Sequence, residues 1–129
     1  MSEYEDLASA AAGEARPGMG QQRTALANAM VGLKKKYYGR GPTAAKAWLN
    51  DEYVFVAMEG GLTRAEETLL EAGEEHLVRN YRLAFQEAMS ETTTAAVEEI
   101  TGREVLTYHS QIAFGPTRSF EIFVLARED

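Results

Sequence analysis

The stretch "KKKYYGRGPTAAKAWLNDEYVFVAME", Lys34 to Glu59, decides the fold because it contains a helix end, a corner and a complete hairpin. Upstream of it, apolar residues recur at helical spacing, which predicts an amphipathic helix from about Met19 to Tyr38. The predicted apolar stripe is Leu26, Ala29, Met30, Leu33 and Tyr37. Gly39 is a typical helix stop, and after Pro42 the spacing changes to that of strands.

Two strand-like runs, "TAAKAWL" and "EYVFVAME", flank Asn50-Asp51, a turn pair that tolerates positive φ. They predict a β-hairpin with Trp48 directly opposite Tyr53. The alternation sorts the side chains onto two faces that both carry apolar bulk. One face takes Ala45, Ala47, Leu49, Val54, Val56 and Met58, and the other takes Lys46, Trp48, Tyr53 and Phe55.

A long helical pattern follows the Gly60-Gly61 pair. Thr63 and Glu66 form a capping box, so we expect a helix to begin at Arg64. Helical spacing then continues to Thr101-Gly102, which is too long for one straight helix in a small domain. We predict a break at Ala72-Gly73, and the sequence alone leaves open whether the helix from about 64 to 101 is continuous.

A second hairpin is indicated by "EVLTYHSQIAF" and "FEIFVLARE", which are separated by Gly115-Pro116-Thr117-Arg118. If Phe120, Ile122 and Val124 face the helices, then Glu121, Phe123 and Leu125 face the other side. The fold class is therefore α+β: a two-layer structure with a four-stranded, mostly antiparallel sheet of two β-hairpins, an N-terminal helix and a long or split central helix. We expect one domain over residues 19–129, preceded by a mobile tail over residues 1–18.

This layout leaves an apolar patch without a cover on one face of the sheet, larger than a monomer would expose. Its members are Trp48, Tyr53, Phe55, Phe123 and Leu125. The N-terminal helix could cross to that side, a second chain could stack there about a twofold axis, or the patch could line a ligand or peptide groove. We expect a homodimer.

Composition excludes several classes of function. The chain has 13 Lys+Arg and 20 Asp+Glu, a net charge of -7, which argues against general nucleic-acid binding. It has no cysteine, which excludes disulfides, thiolate metal sites and cysteine nucleophiles. No apolar run approaches the roughly 20 residues of a membrane span, and the N-terminus is acidic where a signal peptide would be basic. We expect a cytoplasmic protein without direct membrane insertion.

No catalytic, metal or cofactor constellation is recognisable in the sequence. His76 and His109 lack the spacing of a helix-borne metal site. His109 and Ser110 are neighbours on one strand and point to opposite faces, so they cannot act as base and nucleophile. We expect a solvated helix face from the glutamates Glu66, Glu67, Glu71, Glu74 and Glu75. We therefore expect no catalytic residue, no bound metal and no cofactor.

Five cations cluster around the corner: Lys34, Lys35, Lys36, Arg40 and Lys46. The three consecutive lysines suit the C-terminal end of a helix dipole. Arg40 lies between two glycines, and its guanidinium could meet a carboxylate, a phosphate or a bicarbonate ion. Arg40, Lys36 and Lys46 are thus the candidate anion or partner site, and the alternative is a purely structural corner.

The series "YYGRGPTAAKAWLNDEYVFVAMEGGLTRAEETLLEAG", "FQEAM", "EEITGREV" and "EIFVLARE" resembles the small bacterial MpsC-like family. The likeness covers about Met19 to Glu128, and its most specific piece is Tyr38 to Thr43. It implies a connection with a Na+-translocating, membrane-potential-generating system whose membrane partners are related to bicarbonate-uptake complexes. It supplies no catalytic residues.

The sequence supports three hypotheses of function. The first is a non-catalytic accessory or regulatory protein of a membrane cation or bicarbonate transport system, with membrane transport subunits as partners. The alternative is a stand-alone domain that binds a small molecule or an anion. A nucleic-acid-binding regulator is the third, and the acidic composition disfavours it.

Overall fold

A computed structural model describes residues 18–128 of the chain, and within them it forms four helices and one four-stranded sheet. The elements are α1 (Met19–Tyr38), β1 (Ala44–Asn50), β2 (Tyr53–Glu59), α2 (Arg64–Glu71), α3 (Glu75–Ala88), α4 (Ser90–Thr101), β3 (Val105–Ala113) and β4 (Arg118–Leu125). The tail expected over residues 1–18 lies outside the described residues, apart from Gly18.

The sheet has the strand order β1-β2-β4-β3, and every neighbouring pair is antiparallel. Each hairpin supplies two adjacent strands, and the pairing of β2 with β4 joins the hairpins into one sheet. The helices pack on one face of this sheet, and the other face, which we call the open face, has no described helix over it. The predicted α+β fold class is confirmed.

The first hairpin turns one residue later than predicted. Asn50 pairs with Tyr53, so the loop is Asp51-Glu52, and Asp51 takes the positive φ of 56°. Trp48 therefore lies opposite Phe55, and its predicted pairing with Tyr53 is wrong. The two registers differ by two residues, an even number, so every side chain stays on its predicted face.

The main core lies between α1 and the helix-facing side of the sheet. Leu26 and Met30 of α1 are almost fully buried against Val54, Val56 and Phe123. The buried positions of α1 recur every four residues, at Gln22, Leu26, Met30 and Lys34. This stripe differs from the predicted one at its end, because Tyr37 is 39% exposed whereas Lys34 is buried.

The faces of β4 are the reverse of the prediction. Phe123 pairs with Val54 on the helix side of the sheet and is 0% exposed, and Leu125 is 1% exposed. The prediction that these two residues belong to the uncovered patch is therefore wrong. Phe120, Ile122 and Val124 lie on the open face instead, because β4 pairs with the alternation of β2 and this register places Glu121 opposite Val56.

The long helical segment is broken twice. The capping box of Thr63 and Glu66 forms in both directions, α2 ends at Glu71, and Gly73 has φ 81°, which confirms the predicted break. A second break at Met89 separates α3 from α4. The Met89 backbone N–H still donates to the carbonyl of Phe85 at 3.0 Å, and no glycine or proline marks this position.

Gly61 supports the corner between α1 and β1. Its φ is 88°, and a Cβ added there would lie 3.1 Å from the Cα of Pro42.

We expect Gly61→Ala to lower the free energy of unfolding by about 2 kcal/mol or more, through left-handed strain and overpacking. Gly32→Ala is the matched control, because its Cβ would meet nothing within 4 Å and should add up to about 1 kcal/mol of helix propensity. Urea denaturation measures both, and similar effects of the two substitutions would contradict this account.

Candidate functional site

The open face carries a continuous apolar row across β1, β2 and β4. Its members are Trp48, Tyr53, Phe55, Phe120 and Ile122, which we call the aromatic row. The ring of Phe55 lies 5.3 Å from that of Trp48 and 5.9 Å from that of Phe120, between centroids. Tyr53 is 53% exposed, Trp48 38% and Ile122 37%. The contiguity of these side chains is typical of an interaction surface.

The three explanations for the uncovered patch are now reduced to two. Leu26 and Met30 pack α1 against Val54 and Val56, which are on the helix-facing side. The N-terminal helix therefore does not cross to the open face. Two explanations remain. A second chain or another partner covers the aromatic row, or the row lines a ligand groove.

The opposite side of the sheet contains a buried carboxylate, that of Glu121, which is 1% exposed. It accepts hydrogen bonds from Lys34 Nζ at 3.0 Å, the Tyr108 hydroxyl at 2.5 Å and Ser110 Oγ at 3.2 Å. Lys34 is also buried, and its charge balances that of Glu121. A buried charge is tolerated when it is paired and hydrogen-bonded, and both conditions hold here.

A second buried ion pair joins α2 to α3. Arg82 donates to both carboxylate oxygens of Glu66 at 2.6 Å and to the carbonyl of Gly61 at 3.1 Å. Glu66 also accepts from the backbone N–H of Thr63 at 2.8 Å, which closes the capping box. One carboxylate therefore both caps α2 and fixes Arg82.

Tyr38 and Gln86 connect the two ion pairs. The Arg82 guanidinium lies 3.8 Å above the ring of Tyr38. Gln86 donates to the Tyr38 hydroxyl at 3.2 Å, and its Oε1 lies 3.3 Å from the hydroxyl of Tyr108. We call the whole set the internal polar network: Lys34, Tyr38, Thr63, Glu66, Arg82, Gln86, Tyr108, Ser110 and Glu121. Its ionised residues are two cations and two carboxylates, so it is electrically balanced.

Burial and pairing shift the pKa values of the internal polar network. Burial lowers the pKa of Lys34, against the opposing attraction of Glu121. Burial raises the pKa of Tyr38, and burial together with the Glu121 carboxylate raises that of Tyr108. For Glu66, burial acts to raise the pKa, but hydrogen bonds from Arg82 and Thr63 outweigh it and leave the pKa below its ordinary value.

Two narrow cavities border Lys34, Gln86 and Glu121, with volumes of about 20 Å³ and about 10 Å³. The first is lined mainly by apolar side chains, among them Met30 and Phe85. A volume of this size admits about one water molecule. These cavities are too small for an organic ligand.

The three predicted cations lie on different parts of the surface. Arg40 is in the corner, 57% exposed, and its Nη1 is 4.0 Å from Glu67 of α2. Lys36 lies over the ring of Tyr37 at 5.2 Å, and Lys46 over that of Trp48 at 5.4 Å. Lys46 therefore belongs to the edge of the aromatic row. An anion-binding or partner-binding role for Arg40, Lys36 and Lys46 stays a prediction.

The corner itself has a structural explanation. Gly39 ends α1 with φ 83°, and its N–H donates to the carbonyl of Lys35. A Cβ on Gly41 would lie 3.2 Å from the Cβ of Lys35, so a small residue lets the chain fold back against the helix.

The sequence pattern does not predict the burial of the four ionic residues Lys34, Glu66, Arg82 and Glu121. Lys34 was expected with Lys35 and Lys36 at a solvated helix end, and Glu66 on a solvated helix face; both expectations are wrong. Two features of the sequence indicate the burial of Lys34 and Glu121. Lys34 continues the four-residue spacing that starts at Leu26, and Glu121 is the single acidic residue within the apolar strand "SFEIFVL".

The two histidines lie on different elements, His76 on α3 and His109 on β3. His76 is exposed, with Nε2 3.8 Å from Glu74, and His109 lies on the open face whereas Ser110 binds Glu121 on the other side. Within residues 18–128, no three His, Asp or Glu side chains are grouped so as to hold a metal ion. In the same residues, no helix combines the length and the apolar character required to cross a bilayer.

The fold and its surfaces define a small α+β domain whose antiparallel sheet is covered by helices on one face and exposes aromatic residues on the other. Residues 19–127 match the family model described as "Na+-translocating membrane potential-generating system (MpsC)". The chain belongs to the MpsC family, as its sequence motifs predicted. No curated protein and no solved structure matches it.

Lys34 is the cationic partner of Glu121, so its removal should destabilise the protein strongly. Lys34→Met leaves a buried carboxylate without its counter-charge, and we expect a loss of about 3 to 5 kcal/mol in the free energy of unfolding. Lys35→Met is the matched control on an exposed position, with an expected change within about 0.5 kcal/mol. Adding Glu121→Gln to Lys34→Met should recover part of the loss. Equal effects of the two lysine substitutions, measured by urea denaturation, would refute the buried pair.

Glu66 should contribute to acid sensitivity. Its pKa is lower in the folded chain than its ordinary value of 4.5, so its contribution is fully present above pH 4.5 and disappears as the pH falls through the folded-state pKa. The difference in unfolding free energy between the wild type and Glu66→Gln should therefore be largest near pH 7 and shrink below pH 4.5. Denaturant titrations from pH 7 to pH 3 measure it. Glu71→Gln, at an exposed position of the same helix, is the matched control. A constant difference for Glu66→Gln over this pH range would contradict the assignment.

Proposed function

We propose that this protein is a non-catalytic accessory or regulatory protein of a membrane-potential-generating cation or bicarbonate transport system, acting in the cytoplasm. The proposal rests on the chain's membership of a family whose description names a Na+-translocating membrane-potential-generating system. The exposed aromatic row supports it, because an accessory protein needs a surface on which another protein can dock.

The docking surface in this proposal is the open face. Trp48 and Tyr53 offer large rigid side chains with a polar atom each, the residue types that dominate the energetics of protein interfaces. Lys46, which lies over the ring of Trp48, adds positive charge beside the row. The partner segment that fits this chemistry is a cytoplasmic part of a membrane transport subunit with apolar residues at its centre and carboxylates at its margin.

Co-purification of the full chain with the candidate membrane subunits from detergent-solubilised membranes tests the proposal. We expect the wild type to associate, and Trp48→Ala with Tyr53→Ala to weaken the dissociation constant about 30-fold, equivalent to about 2 kcal/mol for an interface hot spot. Leu77→Ala is the control, since Leu77 is an exposed apolar residue on α3. No association of the wild type would reject the accessory role. Association that Trp48 and Tyr53 do not affect would reject the open face.

The alternative, a stand-alone anion-binding domain, is supported by Arg40, whose closest carboxylate is 4.0 Å away and whose side chain is 57% exposed. A bound anion would stabilise the folded chain by mass action. We expect bicarbonate or phosphate to raise the midpoint of thermal unfolding in the wild type and not in Arg40→Ala, with chloride at equal ionic strength as the control. A flat response to all anions would remove this alternative.

A further inference from the structure

The strand β3 lies at an edge of the sheet and is the longest of the four, with nine residues. β3 pairs with β4 on one side, and no strand within residues 18–128 pairs with it on the other side. Half of its backbone N–H and C=O groups therefore point away from β4. A groove of about 810 Å³ runs along this edge. Its helical wall includes Leu83, Glu87 and Thr94, and Leu106 lies on the strand side. The N–H groups of Val105 and Ile112, near the two ends of the strand, donate to the side chains of Glu98 and Gln111. The part of the edge between them is accessible to another extended segment.

The sequence of β3 does not protect this edge. Val105 to Ala113 contains no Lys, Arg, Asp, Glu or Pro, although 26% of the chain is charged. Edge strands that avoid pairing usually carry such residues or strong bulges. The irregularity in β3 lies at its start, between Val105 and Thr107, and the rest of the strand follows a regular register. The opposite edge, β1, carries Lys46 near its middle.

Leu106 adds an apolar anchor to this edge. It is 56% exposed, the highest value among the large hydrophobic residues of the described chain. Leu83 and Ile122 line the same groove and provide apolar surface beside the strand. A second strand placed along β3 would remove Leu106 from water, which stabilises an interface in proportion to the apolar area buried.

We propose that β3 pairs antiparallel with β3 of a second copy of this chain about a twofold axis, which gives a continuous eight-stranded sheet. A twofold interface uses the same surface on both copies, and an antiparallel pair of identical strands meets this requirement. Charge complementarity favours this occupant over an arbitrary peptide. Glu104 precedes the strand at one end, and Arg118 pairs with Ala113 at the other.

Antiparallel pairing brings the beginning of one β3 to the end of the other. Glu104 of one copy then lies near Arg118 of the second copy, and the symmetry repeats this contact. Within its own chain, Arg118 Nη1 donates to the carbonyl of Thr117 at 3.0 Å, whereas its nearest described carboxylate, that of Glu59, is 3.9 Å from Nη2. Two such contacts offset part of the repulsion between two chains that each carry a net charge of -7. The inference is independent of the proposed transport role.

Sedimentation equilibrium of the full chain at micromolar concentration tests the proposal. We expect the mass of two chains for the wild type and of one chain for Leu106→Lys, which places a charge at the edge without touching the core. Tyr53→Lys, on the open face, should remain a dimer. A wild-type mass of one chain overturns the proposal, and so does dissociation by Tyr53→Lys with no effect of Leu106→Lys.

A charge exchange tests the register. Glu104→Arg and Arg118→Glu should each weaken dimerisation at least tenfold, and the double variant should recover most of the wild-type affinity. Absence of recovery overturns the antiparallel arrangement.

Hydrogen exchange tests the edge pairing in the wild-type chain, without any substitution. Backbone amides within Val105 to Ala113 should be protected from exchange in the dimer and should lose this protection on dilution. Equal exchange at high and low concentration overturns the edge pairing.

Discussion

The buried carboxylate of Glu121 is the constraint on which the arrangement of this domain depends. A charge on the helix-facing side of a sheet requires a counter-charge and hydrogen-bond donors, and its isolation would cost several kcal/mol. Lys34, Tyr108 and Ser110 meet that requirement from α1 and β3. Because the Lys34 side chain must reach β4, the rotation and position of α1 are fixed, and the same helix then presents Leu26 and Met30 to the core.

The second ion pair orders the segment that follows the hairpin. Glu66 caps α2 and binds Arg82 of α3, while Arg82 also binds the carbonyl of Gly61 and stacks on Tyr38. These contacts tie the chain after β2 to the end of α1 and to α3. They draw α2 and α3 to the same side of the sheet as α1. The open face is the side of the sheet that the described helices leave uncovered.

Local signals predicted much of this fold. The capping box at Thr63 and the break at Gly73 were recognisable because each depends on residues close in sequence. The faces of β4 were assigned wrongly because both of its faces are rich in apolar residues, and only the pairing with β2 decides between them. Lys34 could not be separated from Lys35 by composition, since what distinguishes it is Glu121, 87 residues later. The break at Met89 has no sequence marker.

Some charged residues of this protein are buried, and some of its aromatic residues are exposed. Two buried ion pairs lie under the helices, whereas Trp48 and Tyr53 face water. Buried ion pairs contribute little stability over apolar packing, and exposed aromatics contribute less than buried ones. Such an arrangement is understandable when the aromatic surface serves association. Pairing through the β3 edge would leave Trp48 and Tyr53 of both copies free and place the two aromatic rows on one continuous sheet. A partner could then contact two rows at once, and binding at the second row would gain from the raised effective concentration.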